Sequence, residues 1–293
     1  MSMLRLGLLQ YEVTAPAGLD RFAAKLDRLL AEGIAGGGSL LVLPEYACME
    51  VAAGFVGVGD PARELHAVCN VADELLGIFT TAARRHGVWL LPGSMPWPDG
   101  ERVRNRAPLI APDGTLAFQD KSAMTRFETE SWGVAPGEPP SVFETPWGLI
   151  GIAICYDVEF PPLVRPQALA GARLILTPSC TDTLHGFNRV CLSARARAIE
   201  NQCFVAVAPT VGDAPSLATL DANRGYAAVF GPVDRGFPED GVIARGEADR
   251  GMWVFADLDF VALDAVRENG AVRNFRDWQN WPAECRTVRL VER

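Results

Sequence analysis

Short apolar runs alternate along the chain with longer segments whose apolar residues recur at helical spacing. Runs rich in Val, Ile and Leu predict buried strands, and helical spacing predicts amphipathic helices between them. The predicted strands are 4–11, 40–45, 88–91, 104–110, 116–118, 141–143, 149–154, 173–177, 203–208, 226–230 and 252–255. The predicted helices are 19–35, 61–86, 160–170, 185–202 and 261–267. Regular alternation of this kind predicts a single α/β domain.

Two segments depart from the pattern. Residues 46–59 are small and glycine-containing, which predicts a loop, and residues 121–140 have no hydrophobic period, which predicts a long functional loop. The turn residues 112–114 (PDG) predict a hairpin between strands 104–110 and 116–118. With this hairpin and the late strands, we expect a sheet that is not purely parallel.

The apolar run 149–154 stops abruptly at Cys155 and is followed by a predicted helix with prolines in its first turn. Cys155 is therefore expected at the carboxyl end of a core strand, where ligands collect in open α/β sheets. The field of a helix N-terminus there favours a thiolate. A buried, inert cysteine is the alternative, because free cysteine is among the most buried residue types.

Composition narrows the function classes. Of 293 residues, 49% are hydrophobic, so the chain can bury a large core, and the net charge of −9 argues against nucleic-acid or anionic-membrane partners. No apolar run is long enough to span a bilayer, and the first residues read as a strand rather than a signal peptide. Seven scattered cysteines without CxxC pairs predict a reduced, cytoplasmic protein. The presence of only three histidines argues against a histidine-based metal centre, and no metal or other cofactor is expected.

Three polar residues stand in strand-terminal or loop positions that suit catalysis. Glu45 ends its predicted strand much as Cys155 ends its own, so the two could meet at one rim of the sheet, and Lys121 opens the long loop. A buried glutamate with a raised pKa can deprotonate a cysteine, and a lysine can support the thiolate and a developing oxyanion. Separately, Glu45 could be a cap or ion-pair partner and Lys121 a solvated charge.

These residues fall within blocks that resemble the three signature blocks of the nitrilase superfamily of carbon–nitrogen hydrolases. The blocks are 41–45 (LVLPE), 120–128 (DKSAMTRFE) and 151–157 (GIAICYD). Supporting matches are Asn105 in the hairpin, 171–175 (GARLI) and 195–201 (RARAIEN). The resemblance extends from the first strand to about residue 265.

The resemblance implies a four-layer αββα sandwich, commonly dimerised through helices. It also implies Cys155 as the nucleophile, Glu45 as the general base and Lys121 as the oxyanion stabiliser. A second glutamate often follows the lysine and helps to position substrate; Glu128 fits that place and Glu130 is the alternative. The expected reaction is hydrolysis of a small-molecule amide through a cysteine thioester, with release of ammonia or an amine.

Residues after the nucleophile suggest the branch. Tyr156 and Asp157 resemble amidase-like branches, whereas true nitrilases usually carry Trp-Glu there. An N-carbamoyl amino acid amidohydrolase remains an alternative, for which Arg189 is a possible carboxylate-binding residue, although the position is better explained as an arginine on a helix surface. The block 124–128 resembles a branch whose members sometimes carry a fused acetyltransferase domain.

Four residues near the expected pocket are candidates for substrate binding. They are Tyr46, Tyr156, Thr181 and His185. The backbone N–H of Tyr156 is also expected to complete the oxyanion hole.

We expect one carbon–nitrogen hydrolase domain over residues 1–265 and a C-terminal tail over 266–293. The tail carries Trp278 and Trp281 and is a candidate oligomer arm of a homodimer or larger homo-oligomer.

Other classes of protein remain open. A catalytically silent scaffold would lack one of the three key residues, and none is missing. A redox sensor would pair Cys155 with a resolving cysteine such as Cys180. A papain-like Cys155–His185 pair would leave Glu45 and Lys121 unexplained.

Overall fold

The computed structural model describes residues 2–15, 18–55 and 59–278. The strands are β1 (Met3–Glu12), β2 (Leu40–Val42), β3 (Trp89–Leu91), β4 (Met95–Asp99), β5 (Arg102–Ile110), β6 (Leu116–Asp120), β7 (Val142–Thr145), β8 (Gly148–Ile152), β9 (Leu174–Ser179), β10 (Phe204–Asp213), β11 (Ala222–Asn223), β12 (Ala228–Phe230), β13 (Val242–Arg245) and β14 (Met252–Asp259). The helices are α1 (Leu19–Ala35), α2 (Pro61–Cys69), α3 (Ala72–His86), α4 (Pro161–Leu169), α5 (Leu184–Asn201), α6 (Phe260–Asn269) and α7 (Asn274–Asp277). Short 3₁₀ helices cover Ala47–Gly54 and Cys155–Glu159, and a π turn covers Glu128–Trp132.

Strand β1 joins two halves of a curled sheet. Along its first part it pairs antiparallel with β14, and at its end Tyr11 and Glu12 pair in parallel with Thr210 and Val211 of β10. One half runs β4-β5-β3-β2-β1, and the other runs β10-β9-β8-β7. Both β14 and β10 pair with the edge of β1 that faces away from β2, β14 along residues 3–10 and β10 along residues 11–12. The sheet divides into two layers at this change of partner.

Alternating side chains of the strands separate two cores. Leu40 and Val42 of β2 belong to the core shared with the second half of the sheet, whereas Leu41 and Leu43 belong to the core under α1 and α3. On the second half, α4 and α5 contribute buried residues such as Val164 to the shared core. This is the period-two alternation of a strand that is covered on both faces. The mixed α/β fold, with helices outside two sheet layers, agrees with the predicted αββα sandwich.

Two sequence predictions are wrong in local structure. The helix predicted over 61–86 is two helices that break at Asn70 and Val71, because α2 packs on the 3₁₀ helix Ala47–Gly54 and α3 packs on α1. The loop predicted over 46–59 contains that 3₁₀ helix, in which residues 47–52 are all buried. Strand β4 was not predicted, because it carries two prolines; it is an edge strand, where proline is tolerated.

The end of the described chain packs against α4 and α5. The guanidinium of Arg165 donates to the carbonyl of Phe275 at 2.6 Å and lies over the rings of Phe275 and Trp278. Trp281 lies outside the described residues, so the predicted oligomer arm stays a prediction. None of the described helices has the length and apolar character that crossing a membrane would require.

Candidate active site

The ends of three parallel strands bring the candidate residues together. Glu45 follows β2 and forms a parallel bridge with Ser94, Cys155 follows β8, and Ser179 ends β9. Ile152 of β8 pairs with Leu176 of β9, so the same register places Cys155 beside Ser179. Cys155 has a positive φ of 48°, a strained conformation for a residue with a side chain, at the first position of its 3₁₀ helix.

Lys121 lies between two buried glutamates. It follows the last residue of β6, and its Nζ lies 2.8 Å from Oε1 of Glu45 and 2.7 Å from Oε2 of Glu128. The side chains of Lys121, Glu45 and Glu128 are only 1%, 2% and 2% exposed. The structure therefore brings Glu128 into this cluster, whereas the alternative, Glu130, pairs with Arg126 at the surface.

Asn105 of β5 fixes the spacing of the two glutamates. Its Nδ2 donates to Oε1 of Glu45 at 2.8 Å and to Oε1 of Glu128 at 3.1 Å. Its carbonyl accepts the backbone N–H of Lys121. From the sequence, Asn105 is only a supporting match to the family. Its position on the hairpin strand that precedes Lys121 is the one feature of the sequence that points to a place in the site.

Further contacts hold Glu128 in place. Oε2 accepts hydrogen bonds from the backbone N–H and the hydroxyl of Thr125, both at 2.9 Å. Oε1 accepts the hydroxyl of Tyr46 at 3.0 Å. The ring of Tyr46 packs edge-to-face on Trp132 at the end of the π turn. Tyr46 was predicted to bind substrate; its hydroxyl is bound to Glu128 in the structure, and a role in substrate binding stays a prediction.

The thiol of Cys155 and the carboxylate of Glu45 both contact the backbone of Cys180. Sγ of Cys155 lies 3.6 Å from the carbonyl oxygen of Cys180, and Oε2 of Glu45 accepts the backbone N–H of Cys180 at 3.0 Å. The hydroxyl of Ser179 donates to Sγ at 3.3 Å. The backbone of one residue, Cys180, which directly follows β9, thus contacts both the base and the nucleophile.

Burial and charge oppose each other in this cluster. Burial disfavours the ammonium of Lys121, but the carboxylates of Glu128 and Glu45 outweigh it and hold the pKa of Lys121 well above its ordinary value. Burial also raises the pKa of Glu45; the charge of Lys121 lowers it and that of Glu128 raises it again. For Glu128, burial is outweighed by the charge of Lys121 and by hydrogen bonds, so its pKa is lowered. The two glutamates are therefore not equivalent, and Glu45 is the better proton acceptor.

The expectation that a helix N-terminus would favour the Cys155 thiolate is corrected by the structure. Burial and the neighbouring charge of Glu45 raise the pKa of the thiol well above its ordinary value, although Lys121, Ser179 and the Cys180 backbone act in the opposite direction. Burial and the charge of Glu45 thus favour the neutral thiol over the thiolate. An adjacent base is therefore needed to generate the nucleophile.

Asp157 connects the nucleophile segment with the segment that follows Lys121. Its carboxylate accepts the backbone N–H groups of Ala123 at 2.7 Å and of Ser122 and Ile154 at 3.2 Å. Burial raises its pKa to about 6. The sequence marked Asp157 only as a sign of the branch, because the partners of its carboxylate are contacts that depend on the fold.

The remaining candidates for substrate binding have different surroundings. Tyr156 is partly exposed and packs edge-to-face on Phe160, with 4.7 Å between ring centroids. The hydroxyl of Thr181 donates to the carbonyl of Arg224 at 2.9 Å. His185 is exposed in the first turn of α5. Their roles in binding stay predictions.

The contacts bear on the alternative chemistries. The described part of the chain shows no hydrogen bond between His185 and Cys155, as a papain-like pair would need. Sγ of Cys180 lies 3.7 Å from the side chain of Asn223, and its backbone rather than its thiol contacts Cys155. Among the described residues, no group of three or more His, Cys, Asp or Glu could hold a metal ion. Arg189 forms an ion pair with Glu159 at 3.6 Å.

Comparison with known proteins identifies the class. Residues 5–241 match the family model of carbon-nitrogen hydrolases, and the chain belongs to this family. The similarities described next place it among the amidase-like hydrolases of the family.

Curated relatives match over nearly the whole chain. The chain is 31% identical over 274 residues to the probable hydrolase YhcX of Bacillus subtilis. The matched region covers 94% of this chain and 53% of that protein. It thus spans about half the length of that relative. It is 28% identical over 277 residues to the omega-amidase NIT2 of Danio rerio, with 92% of each chain covered.

Solved structures agree with the fold. An amidase from Nesterenkonia sp. AN1, determined with acrylamide added at its active-site cysteine, has a TM-score of 0.71 and 25% identity, and the match covers 94% of this chain and 99% of that one. A carbon-nitrogen hydrolase from Helicobacter pylori has a TM-score of 0.76 and 19% identity, with 95% and 94% covered. The second similarity concerns the fold alone.

Proposed function

We propose that this protein hydrolyses a small primary amide to the acid and ammonia through a thioester on Cys155. The observation that carries the proposal is the buried arrangement of Glu45, Lys121 and Cys155, in which the base and the nucleophile both contact the backbone of Cys180. The amidase-like relatives support the choice of an amide. Tyr156 and Asp157 after the nucleophile support it over a nitrile.

Acylation begins at Cys155. Glu45 takes the thiol proton while sulfur attacks the amide carbon, and the carbonyl oxygen becomes an oxyanion. Nζ of Lys121 and the N–H of Tyr156 stabilise that charge; Tyr156 is the second residue of a 3₁₀ helix, where N–H groups lack partners within the helix. The C–N bond then breaks, and Glu45 returns the proton to nitrogen, which leaves as ammonia.

Deacylation reuses the same base. Glu45 takes a proton from water, the resulting hydroxide attacks the thioester carbon, and a second oxyanion forms in the same place. The C–S bond breaks, the acid leaves, and the proton returns to sulfur. We propose that Glu128 keeps Lys121 oriented and helps to position substrate, since its Oε2 accepts a hydrogen bond from Nζ at 2.7 Å.

The test is ammonia release from a panel of primary amides, N-carbamoyl amino acids and nitriles. We expect turnover of a primary amide that disappears in Cys155→Ala and persists in the control Cys69→Ala, a thiol on α2 away from the cluster. If only N-carbamoyl amino acids or only nitriles are turned over, that class replaces the primary amide as the proposed substrate. Turnover that survives in Cys155→Ala, or no turnover and no acyl adduct in intact-mass spectra, would reject it and favour a silent scaffold.

Assembly and compartment are parts of the same proposal. We propose a homodimer or larger homo-oligomer in which the tail after Trp278 contributes to the interface. The described cysteines are all unpaired, which supports a reducing, cytoplasmic setting.

A further inference from the structure

We propose that Ser179 is a further catalytic residue, whose hydroxyl stabilises the thiolate of Cys155 as it forms in acylation and as it leaves in deacylation. This inference rests on the proposed function of Cys155. It concerns a side chain that the candidate set of Glu45, Lys121, Glu128 and Cys155 does not include.

The sheet register delivers Ser179 to the sulfur. Strands β8 and β9 are parallel, with Ile150 opposite Leu174 and Ile152 opposite Leu176. Cys155 lies three residues after Ile152, and Ser179 lies three residues after Leu176. The contact thus follows from the pairing of two core strands rather than from a mobile loop.

The hydrogen bond has the direction needed to support negative charge. The Oγ–H of Ser179 donates to Sγ of Cys155 at 3.3 Å, and the serine is fully buried. The thiol proton has other acceptors, the carbonyl of Cys180 and the carboxylate of Glu45. When Glu45 removes that proton, Ser179 still donates to sulfur, and the bond becomes charge-assisted.

The two charged groups that face Cys155 have opposite effects on its thiolate. Glu45 disfavours the thiolate and Lys121 favours it, while burial raises the pKa of the thiol. Lys121 is also bound to Glu45 and Glu128, so its charge is shared. A neutral donor aimed at sulfur stabilises the thiolate without adding positive charge, which would lower the pKa of Glu45 and weaken it as a base.

The effect is large enough to measure. Hydrogen bonds to charged groups correspond to roughly 10- to 100-fold in an equilibrium constant. We therefore expect Ser179→Ala to move the pH midpoint of Cys155 alkylation by iodoacetamide upward by about one unit or more. The limiting rate at high pH, which reports access to sulfur, should stay nearly unchanged.

Thr177 offers a matched control on the same strand. It is two residues before Ser179, fully buried, and its hydroxyl has no hydrogen-bond partner in the described structure. Thr177→Val removes a buried hydroxyl from β9 without touching sulfur. Alkylation of the Cys155 peptide is followed by mass spectrometry in wild type, Ser179→Ala and Thr177→Val, after urea unfolding has verified that all three fold.

The outcomes separate this inference from the proposed function. An upward midpoint shift in Ser179→Ala alone, with kcat/KM for the amide lowered about tenfold or more, supports it. An unchanged midpoint, or an equal shift in Thr177→Val, overturns it even if turnover falls, because the serine would then act only through packing. The alkylation measurement needs no substrate, whereas the proposed function fails separately if Cys155→Ala retains turnover.

Discussion

Nζ of Lys121 lies 2.8 Å from Oε1 of Glu45, and both side chains are almost completely excluded from water. A buried pair of this kind adds little net stability relative to an apolar pair, because desolvation offsets the attraction. Removing one partner is different, since it leaves the other charge buried and uncompensated. Under the proposed function the pair links activity to stability, because we expect the loss of either charge to lower both.

Lys121→Met should consequently lose turnover and stability together. The variant leaves Glu45 and Glu128 buried without their cation, so we expect the free energy of unfolding to fall by about 3–5 kcal/mol near neutral pH. We also expect kcat to fall at least 100-fold through loss of an oxyanion donor. Urea unfolding and ammonia release measure the two effects. Arg126→Met, which removes an exposed cation from the same segment, should change neither appreciably; a stable and active Lys121→Met would contradict the assigned role.

Glu128→Gln should shift the acidic limb of the pH–rate profile to lower pH. The charge of Glu128 raises the pKa of Glu45, so its removal lets Glu45 remain ionised, and able to accept a proton, at lower pH. Turnover itself should fall, because Lys121 and Tyr46 lose a charged partner. The profile of kcat/KM against pH measures the shift.

Glu130→Gln is the matched control, since that carboxylate is exposed and paired with Arg126. It should leave the limb in place. An acidic limb that moves to higher pH in Glu128→Gln would mean that Glu128 is not the neighbour that perturbs Glu45.

Much of this site could be predicted from the sequence because its main residues occupy strand ends. Glu45 and Cys155 end apolar runs, and parallel strands of one sheet share a rim, so their meeting needed no knowledge of loops. The same holds for Lys121, which directly follows a hairpin with clear turn chemistry. The choice between Glu128 and Glu130 depended on which of them faces inward from the π turn, and spacing alone does not decide that.

The parts that could not be predicted arise from tertiary contacts. The break at Asn70 and Val71 depends on what α2 and α3 pack against, and helical periodicity continues through it. Ser179 ends an apolar run without any signal of its own; strand register, which the sequence does not show, places it beside Cys155. The raised pKa of Cys155 reflects burial and the charge of Glu45, which local sequence does not show.

Two truncations test the proposed role of the tail. Removal of residues after Trp278 keeps the contacts of Arg165 with Phe275 and Trp278, so we expect weaker self-association with unchanged protomer stability. Removal after Asn269 also deletes those contacts and should lower the free energy of unfolding. Sedimentation velocity and urea unfolding distinguish the two effects. A truncated chain that sediments like the full-length protein at the same concentration would remove the proposed arm.

Asp157 should make stability depend on pH in a defined direction. Burial raises its pKa from 3.8 to about 6 in the folded protein. The folded state therefore binds this proton more tightly than the unfolded chain does. The resulting stabilisation is fully present below about pH 4 and is lost as pH rises through about 6. Asp157→Asn cannot titrate, so wild-type stability minus variant stability should fall by roughly 2–3 kcal/mol between pH 4 and pH 7.

Urea unfolding of wild type and Asp157→Asn at several pH values measures this difference directly. Subtracting the variant removes the contributions of other titrating groups, because they are common to both proteins. Glu130→Gln, at an exposed ion pair, serves as the control and should show little change with pH. A difference that stays constant, or grows as pH rises, would mean that the N–H groups of Ser122, Ala123 and Ile154 outweigh burial and keep Asp157 ionised throughout.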